Sequence, residues 1–428
     1  MACWNGKAAF GGAGGALSRA TDCAQRNLVK DNLINNNLSC NMLDKTMDIP
    51  LPMPNPPDWQ MDWAAWEAAQ PALFADMQRT VDVPYVAGGK VLANTQTACG
   101  KLVGLPEFRA LNDRQRQILF LACFLHDVGK TLTTKRIKRQ WISPNHDLRG
   151  AELARYLLWT DYKLAGTMDM LSFRETVSLL VQHHETPLAF QDVLKQGDAE
   201  TSFVVKSLAA NGILVHDFTL ELLGILGLAI ATTTEAEDAC KRFMDAAERN
   251  GCLRQPPSFA DETSRFAFLS RKSRSSDDVV TDDTWGEIVM MAGLPGTGKD
   301  TWIGRNHPEL PMISLDEIRK EIHVLPTEPQ EPVITLAYSR ARDFLCNHTP
   351  FLWNATNITT DIRSRQLSMF MRYGASVRIV YLETSVDEQY RRNRNRVAVV
   401  PEEAVTRMRR HLVLPTIHEA QRVGYIMV

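Results

Sequence analysis

Residues 287–303 read EIVMMAGLPGTGKDTWI, an apolar run that enters a glycine-rich turn ending in Gly298-Lys299. Gly293, Gly298 and Lys299 satisfy the spacing G-x-x-x-x-G-K. In a chain of 428 residues that spacing arises by chance roughly one time in ten at ordinary glycine and lysine usage, so context must decide. The apolar run predicts a buried strand and the stretch from Lys299 a helix, the order a phosphate-binding loop requires. Gly293, Gly296, Thr297 and Gly298 would let successive backbone N–H groups point into one concavity, to which the helix N-terminus adds positive potential. Lys299 would reach the β- and γ-phosphates of ATP. The residue after the lysine, ordinarily a Ser or Thr that holds Mg²⁺, is Asp300. Two readings stay open. Asp300 ligates Mg²⁺, with the Thr301 hydroxyl one place on, or it is an acid favoured by the helix dipole alone.

The surroundings extend the pattern. β-rich segments at 287–292, 311–315, 350–353 and 377–382 alternate with polar helical stretches, which predicts a parallel sheet with crossover helices. After the second of these comes SLDEIR. Asp316 and Arg319 share a helix face there, at the strand end that borders a ligand crevice. A carboxylate in that place can take a proton from an attacking hydroxyl while the guanidinium holds a phosphate. Asn354 and Asn357 in WNATN close another strand. Tyr390–Arg396, YRRNRNR, places Arg394 and Arg396 where a lid over the triphosphate would lie, with a solvated basic helix as the alternative.

With GLPGTGKDTW, Asp-x-x-Arg in DEIR, WNATN and RNRNR…VP in that order, residues 286–415 resemble the bacteriophage polynucleotide kinase family of P-loop phosphotransferases. The resemblance implies phosphate binding by Lys299, general-base action of Asp316 on a 5′-hydroxyl, a contact from Arg319 to the acceptor strand's phosphate, and Arg396 as the lid arginine. Asp300 stands where that family has Ser.

The sequence before this region is helical from Trp59 to about Asn250. DRQRQILFLACFL (113–125) has apolar residues at i, i+3 and i+4, and runs into His126-Asp127-Val128-Gly129; His146, His183 and His184 follow on further helical stretches. Adjacent His and Asp with more histidines on helices form a divalent-metal constellation. HDVGK and this set resemble the HD phosphohydrolase superfamily. The domain order resembles bacterial end-healing enzymes, which implies removal of 2′,3′-phosphates from RNA ends. Two positions depart from the pattern: Asn94 lies where a histidine belongs, and Ile230–Thr234 lack the late aspartate, with Asp217 and Asp238 out of register. A domain kept for packing or RNA binding is the alternative, and the basic run TTKRIKRQW (133–141) is a candidate backbone-binding segment.

The expected organisation is therefore a flexible extension over 1–58, an all-α HD-like domain over 59–250, a linker over 251–284 and a P-loop α/β domain over 285–428. Met47 reads as an alternative start, and the N-terminal stretch alternatively as a small binding extension. A net charge of −2 excludes a polycation that holds nucleic acid nonspecifically along its whole length. Eight cysteines without a Cys-x-x-Cys pair fit a reducing cytoplasm. No apolar run approaches the ~20 residues of a membrane span. The chain reads as a cytoplasmic enzyme acting on nucleic-acid 5′ ends with ATP and Mg²⁺, with a second divalent metal in the helical domain and no membrane partner, and compatible with a homo-oligomer. A small-molecule P-loop kinase and an ATP-binding regulatory protein with an inactive HD domain are the competing readings.

Overall fold

The helix Asp113–Leu125 organises the N-terminal half, because every residue from Gln117 to Leu125 is buried. Asn112 and Gln115 start it with a reciprocal capping box. Helices Val91–Gly104, Met168–His183 and Leu220–Ile230 pack on it, His146–Thr160 packs on Met168–His183, and Trp66 and Phe120 meet edge to face 5.5 Å apart on one flank. Among the described residues this half also holds a short antiparallel hairpin, β1 (Lys135–Ile137) and β2 (Gln140–Ile142), and one isolated bridge between Val81 and Lys90. In this computed structural model residues 46–83, 89–396 and 398–428 are described, and Met47–Val428 form one compact unit.

The C-terminal half is a five-stranded parallel sheet. Its strands are β3 (Glu287–Ala292), β4 (Met312–Ser314), β5 (Leu352–Asn354), β6 (Ser376–Glu383) and β7 (Arg422–Met427), in the order β4-β5-β3-β6-β7. The first four match the expected segments; β7 was not read from the sequence, since RVGYIM has little apolar alternation. β3 is central and buried on both faces, which explains its continuous apolar run. Ile288, Met290 and Ala292 join the large core shared with the helical half, whereas Val289 and Met291 meet Ile303, Leu352, Val380 and Leu382. The chain leaves β3 for β4 on one side and later returns to β6 on the other. The carboxyl end of β3 is thus a topological switch point, where ligand crevices form.

Two expected boundaries move. Residues 1–45 of the expected extension lie outside the described residues. Residues from Met47 onward are packed: Met47, Ile49 and Leu51 are buried, and the Gln117 amide pairs with both the N–H and the carbonyl of Met47 at 2.8 Å. The expected linker carries a helix, Glu262–Leu269, whose Phe268 and Leu269 cluster with Ala210 and Ile417. Its short apolar run is hidden in the sequence between polar and charged blocks. Among the described residues no helix is long and apolar enough to cross a membrane.

The two halves meet through a buried chain of charges. Arg174 donates to both carboxylate oxygens of Glu383 at 2.9 Å, to Glu175 at 2.8 Å and to the Leu164 carbonyl at 2.7 Å. Arg155 in turn holds Glu175 at 2.8 Å and reaches the Leu412 carbonyl, and the Tyr381 hydroxyl donates to Glu383. Trp159 lies 4.2 Å beneath the Arg174 guanidinium. Burial opposes ionisation of Glu175, but Arg155 and Arg174 outweigh it and hold its pKa below the usual carboxylate range. Two cations and two anions compensate one another, so removing one partner strands the rest. Arg174→Met should lower unfolding free energy by about 3–5 kcal/mol, read from urea denaturation. Arg174→Met/Glu383→Gln should recover part of that loss.

Candidate functional site

The loop between β3 and the helix Lys299–Asn306 needs its glycines for steric reasons. Gly293, Gly296 and Gly298 have φ of 138°, 84° and 90°. A Cβ on Gly293 would lie 2.5 Å from the Leu382 carbonyl oxygen, and one on Gly296 2.8 Å from that of Gln389. β6 and the following helix therefore approach the loop as closely as glycine allows. Thr297 spends its hydroxyl on the Leu294 carbonyl, and the Lys299 ammonium donates to the Gly293 and Leu294 carbonyls at 2.9 Å each. Lys299 thus closes the loop on itself. Burial lowers its pKa to about 8, with Arg396 pushing the same way and Asp300 and Asp316 opposing.

The WNATN segment braces the same loop. Asn354 donates to Asp300 at 2.7 Å, the Gly293 N–H donates to the Thr356 carbonyl, and Asn357 donates to the Met291 carbonyl at 2.7 Å. Asp300 lines a cleft of about 1150 Å³ together with Asp316, Arg319 and Arg396. Thr301 is exposed and does not line it, so of the two candidate Mg²⁺ ligands Asp300 is the one facing the site. Ser314 caps the helix Leu315–Glu321 and places Asp316 in its first turn. Arg319 donates to Asp316 and to Gln330 at 2.6 Å each, and Arg396 lies 3.6 Å from the other Asp316 oxygen.

The arginine-rich segment divides its labour. Arg396 faces the cleft, while Arg394 is exposed and turned toward Glu402 at 3.4 Å, away from the place the sequence suggested. Arg392, held by Glu388 at 2.5 Å, is the arginine beside Gly298. Sequence reasoning also passed over Gln389 and Asn393. Gln389 donates to the Pro295 carbonyl of the loop and accepts from buried Arg409, and Asn393 clamps the Val400 backbone by two hydrogen bonds. Their only sequence signal is the i, i+4 spacing on one helix face. Val397, in the same lid segment, lies outside the described residues.

In the helical half, His126 and Asp127 form the turn after Asp113–Leu125. A Cβ on Gly129 would collide with the His146 carbonyl, so glycine is what lets the His146 helix approach this turn. His126, His146 and His184 each anchor Nδ1 to the carbonyl three residues earlier, at 2.7, 3.1 and 2.7 Å. All three therefore present Nε2 to Asp127, at 3.2, 3.5 and 3.9 Å. Burial, then His126, lowers His184 to about 4, so its ring is neutral, the form in which imidazole can bind a metal. Burial disfavours the charged His126 ring too, but Asp127 outweighs it and lifts His126 to about 9.

Asp127, His146 and His184 offer three donor atoms within 4.8 Å of one another, and the His146 Nε2 is buried without a hydrogen-bond partner. That donor set, with every ring fixed through its second nitrogen, fits a divalent ion. His183 does not join it. One residue on, a helix turns about 100°, and His183 sits near His418 and Asp147 instead. Lys130 bridges Asp127 at 2.8 Å and Asp82 at 2.7 Å, a cation on the far side of the carboxylate that the sequence reading missed. Asn94 is half-buried; Asp217 is bound to Arg114 and Asp238 is an exposed surface acid, and neither aspartate joins the cluster.

Residues 288–415 match a family model described as an AAA domain. Together with the sheet order and the loop geometry, the match makes the C-terminal half a P-loop nucleotide-binding domain of the kinase and NTPase type.

Phosphate oxygens against Lys299 would raise its pKa again, so nucleotide binding above the free value of about 8 takes up a proton. Calorimetric titration in buffers of differing ionisation enthalpy should show proton uptake growing from about pH 7 to about pH 9, and Lys299→Ala should abolish that growth. Elemental analysis should find a divalent metal that His184→Ala or Asp127→Ala removes and His183→Ala retains.

Proposed function

We propose that this protein transfers the γ-phosphate of ATP to the 5′-hydroxyl of a polynucleotide end. The observation that carries the reading is the carboxylate of Asp316, which faces the cleft beside the phosphate-binding loop with Arg319 and Arg396 on either side of it. The acceptor hydroxyl gives its proton to Asp316 as its oxygen attacks the γ-phosphorus. The bond to the bridging oxygen breaks and ADP leaves. Mg²⁺, held through Asp300, would neutralise charge on the β- and γ-phosphate oxygens. Arg396, 3.6 Å from one Asp316 oxygen, would turn to the γ-phosphate when ATP binds, leaving that oxygen to act as base.

The cleft supports a polymeric acceptor. Leu325, Pro326 and Val399 give it an apolar wall for a base, while Arg319, Lys320 and Arg396 supply cations for phosphates. At about 1150 Å³ it also exceeds the usual 300–1,000 Å³ of a small-molecule pocket. The cytoplasm suits this reading, where ATP is at hand and thiols stay reduced.

The Asp127, His146 and His184 cluster supports a second activity, hydrolysis of 2′,3′-phosphates at RNA ends. An ion there would polarise a phosphoryl oxygen and acidify a bound water. The chain's own contribution is to hold the three donors through their anchored rings and to keep Asp127 ionised beside Lys130.

Label transfer from ATP to 5′-hydroxyl RNA and DNA should be detectable with the wild type. Asp316→Ala should lower kcat by about 10²–10⁴-fold, and Lys299→Ala should weaken nucleotide use as well. Transfer to nucleosides but not oligonucleotides would assign a small-molecule kinase. Nucleotide binding without any transfer would assign a regulatory protein. Release of phosphate from 2′,3′-cyclic ends, lost in His184→Ala but kept in Lys299→Ala, would establish the second activity.

A further inference from the structure

The hairpin of β1 and β2 stands apart from everything the two sites require. Each residue from Lys135 to Trp141 is exposed, so among the described residues nothing covers either face of the pair. A lone two-stranded hairpin gains little stability from its own contacts. Its turn is also costly. Lys138 and Arg139 have φ of 47° and 71°, the geometry of a two-residue turn normally made by Asn-Gly. A lysine and an arginine there oppose the local backbone preference, and such violations are expected where function demands the side chains.

What the hairpin presents is charge and one aromatic face. Lys135, Arg136, Lys138 and Arg139 lie in a segment, 133–142, that contains no acid. Trp141 is 44% exposed and pairs across the strands with Arg136, whose guanidinium is 6.0 Å from the ring centroid. Cations that follow a phosphate chain, beside an aromatic ring on which a base can stack, are the recognition elements of single-stranded nucleic acid. A hairpin built for a lipid surface would carry its apolar residues at the tip. Here the tip is Lys138-Arg139, and Ile137 and Trp141 sit behind it on opposite faces.

The base of the hairpin is joined to the helical site. The Thr134 and Ser143 hydroxyls meet at 2.8 Å, and the Ser143 carbonyl holds the His146 ring at 3.1 Å. We propose that this hairpin is a docking arm for single-stranded nucleic acid, with Lys135, Arg136, Lys138 and Arg139 on the phosphates and Trp141 stacked on a base. A strand gripped there is led toward Asp127, His146 and His184. The arm's affinity depends neither on metal at that cluster nor on phosphotransfer at the other site.

The test is fluorescence anisotropy of the full chain with a labelled, 5′-phosphorylated single-stranded RNA, without ATP and with chelator. A 5′-phosphorylated end is no kinase acceptor, so loss of binding and failure of the kinase reading are seen separately. Lys138→Asn/Arg139→Gly keeps a favoured turn while removing two charges. It should weaken binding at low salt and reduce the slope of log K against log salt by about 1.4. Trp141→Ala should weaken binding by about 5–150-fold with little change in slope. Weaker binding of a blunt duplex than of the single strand would support stacking. Wild-type affinity in both variants would overturn the proposal. So would hairpin-dependent binding to anionic vesicles in place of RNA.

Discussion

The nucleotide site depends on a carboxylate at the end of one strand. Glu383 closes β6, and its charge is held by Arg174 from the helical half within a buried set of two arginines and two glutamates. The next residues, Thr384 and Ser385, lead into the helix Val386–Arg394, which Ser385 caps. That helix supports the phosphate-binding loop through Gln389 and carries Arg392 to Gly298. A Cβ on Gly166 would lie 3.1 Å from the Ser385 nitrogen, so the helical half packs tightly against the start of this helix. A buried ion pair seldom adds much net stability. Here it ties two elements of the helical half to the end of β6.

The loop holds two cations close at hand. Lys299 caps two loop carbonyls with the ammonium that phosphates would otherwise attract, and Arg396 rests near Asp316. Both cations stand at the site, so under the proposed reading nucleotide binding would exchange their partners rather than recruit distant side chains. Such exchange would cost little reorganisation, the condition for strong electrostatic stabilisation of a transferring phosphoryl group.

Much of the P-loop site was legible because its requirements are local. A continuous apolar strand, three glycines, and Asp316 with Arg319 at i,i+3 are statements about neighbours in the chain; the structure places the glycines after β3 and Asp316 after β4, both at the carboxyl edge of the same sheet. The helical cluster was less legible. His126-Asp127 can be read as a pair, but His183 and His184 are equivalent on paper. Only the end of the helix Met168–His183 decides that the second ring reaches Asp127. Lys130 pairing with Asp82, 48 residues away, has no local signal. The packed helix in the expected linker escaped notice because its apolar run is short and sits between charged blocks.

By itself the sequence determined the two-part architecture, the phosphate-binding loop and the carboxylate that faces it, since backbone sterics and helix periodicity act over a few residues. It also determined that residues 133–141 would be basic. That those cations ride on an uncovered hairpin, and that the hairpin is tied to His146, was decided by tertiary structure. The same holds for Arg394 pointing away while Arg392 reaches the loop, and for Arg174 holding Glu383 across 209 positions. Charge pairing inside a protein is settled by which groups are buried together, and burial is a property of the whole chain.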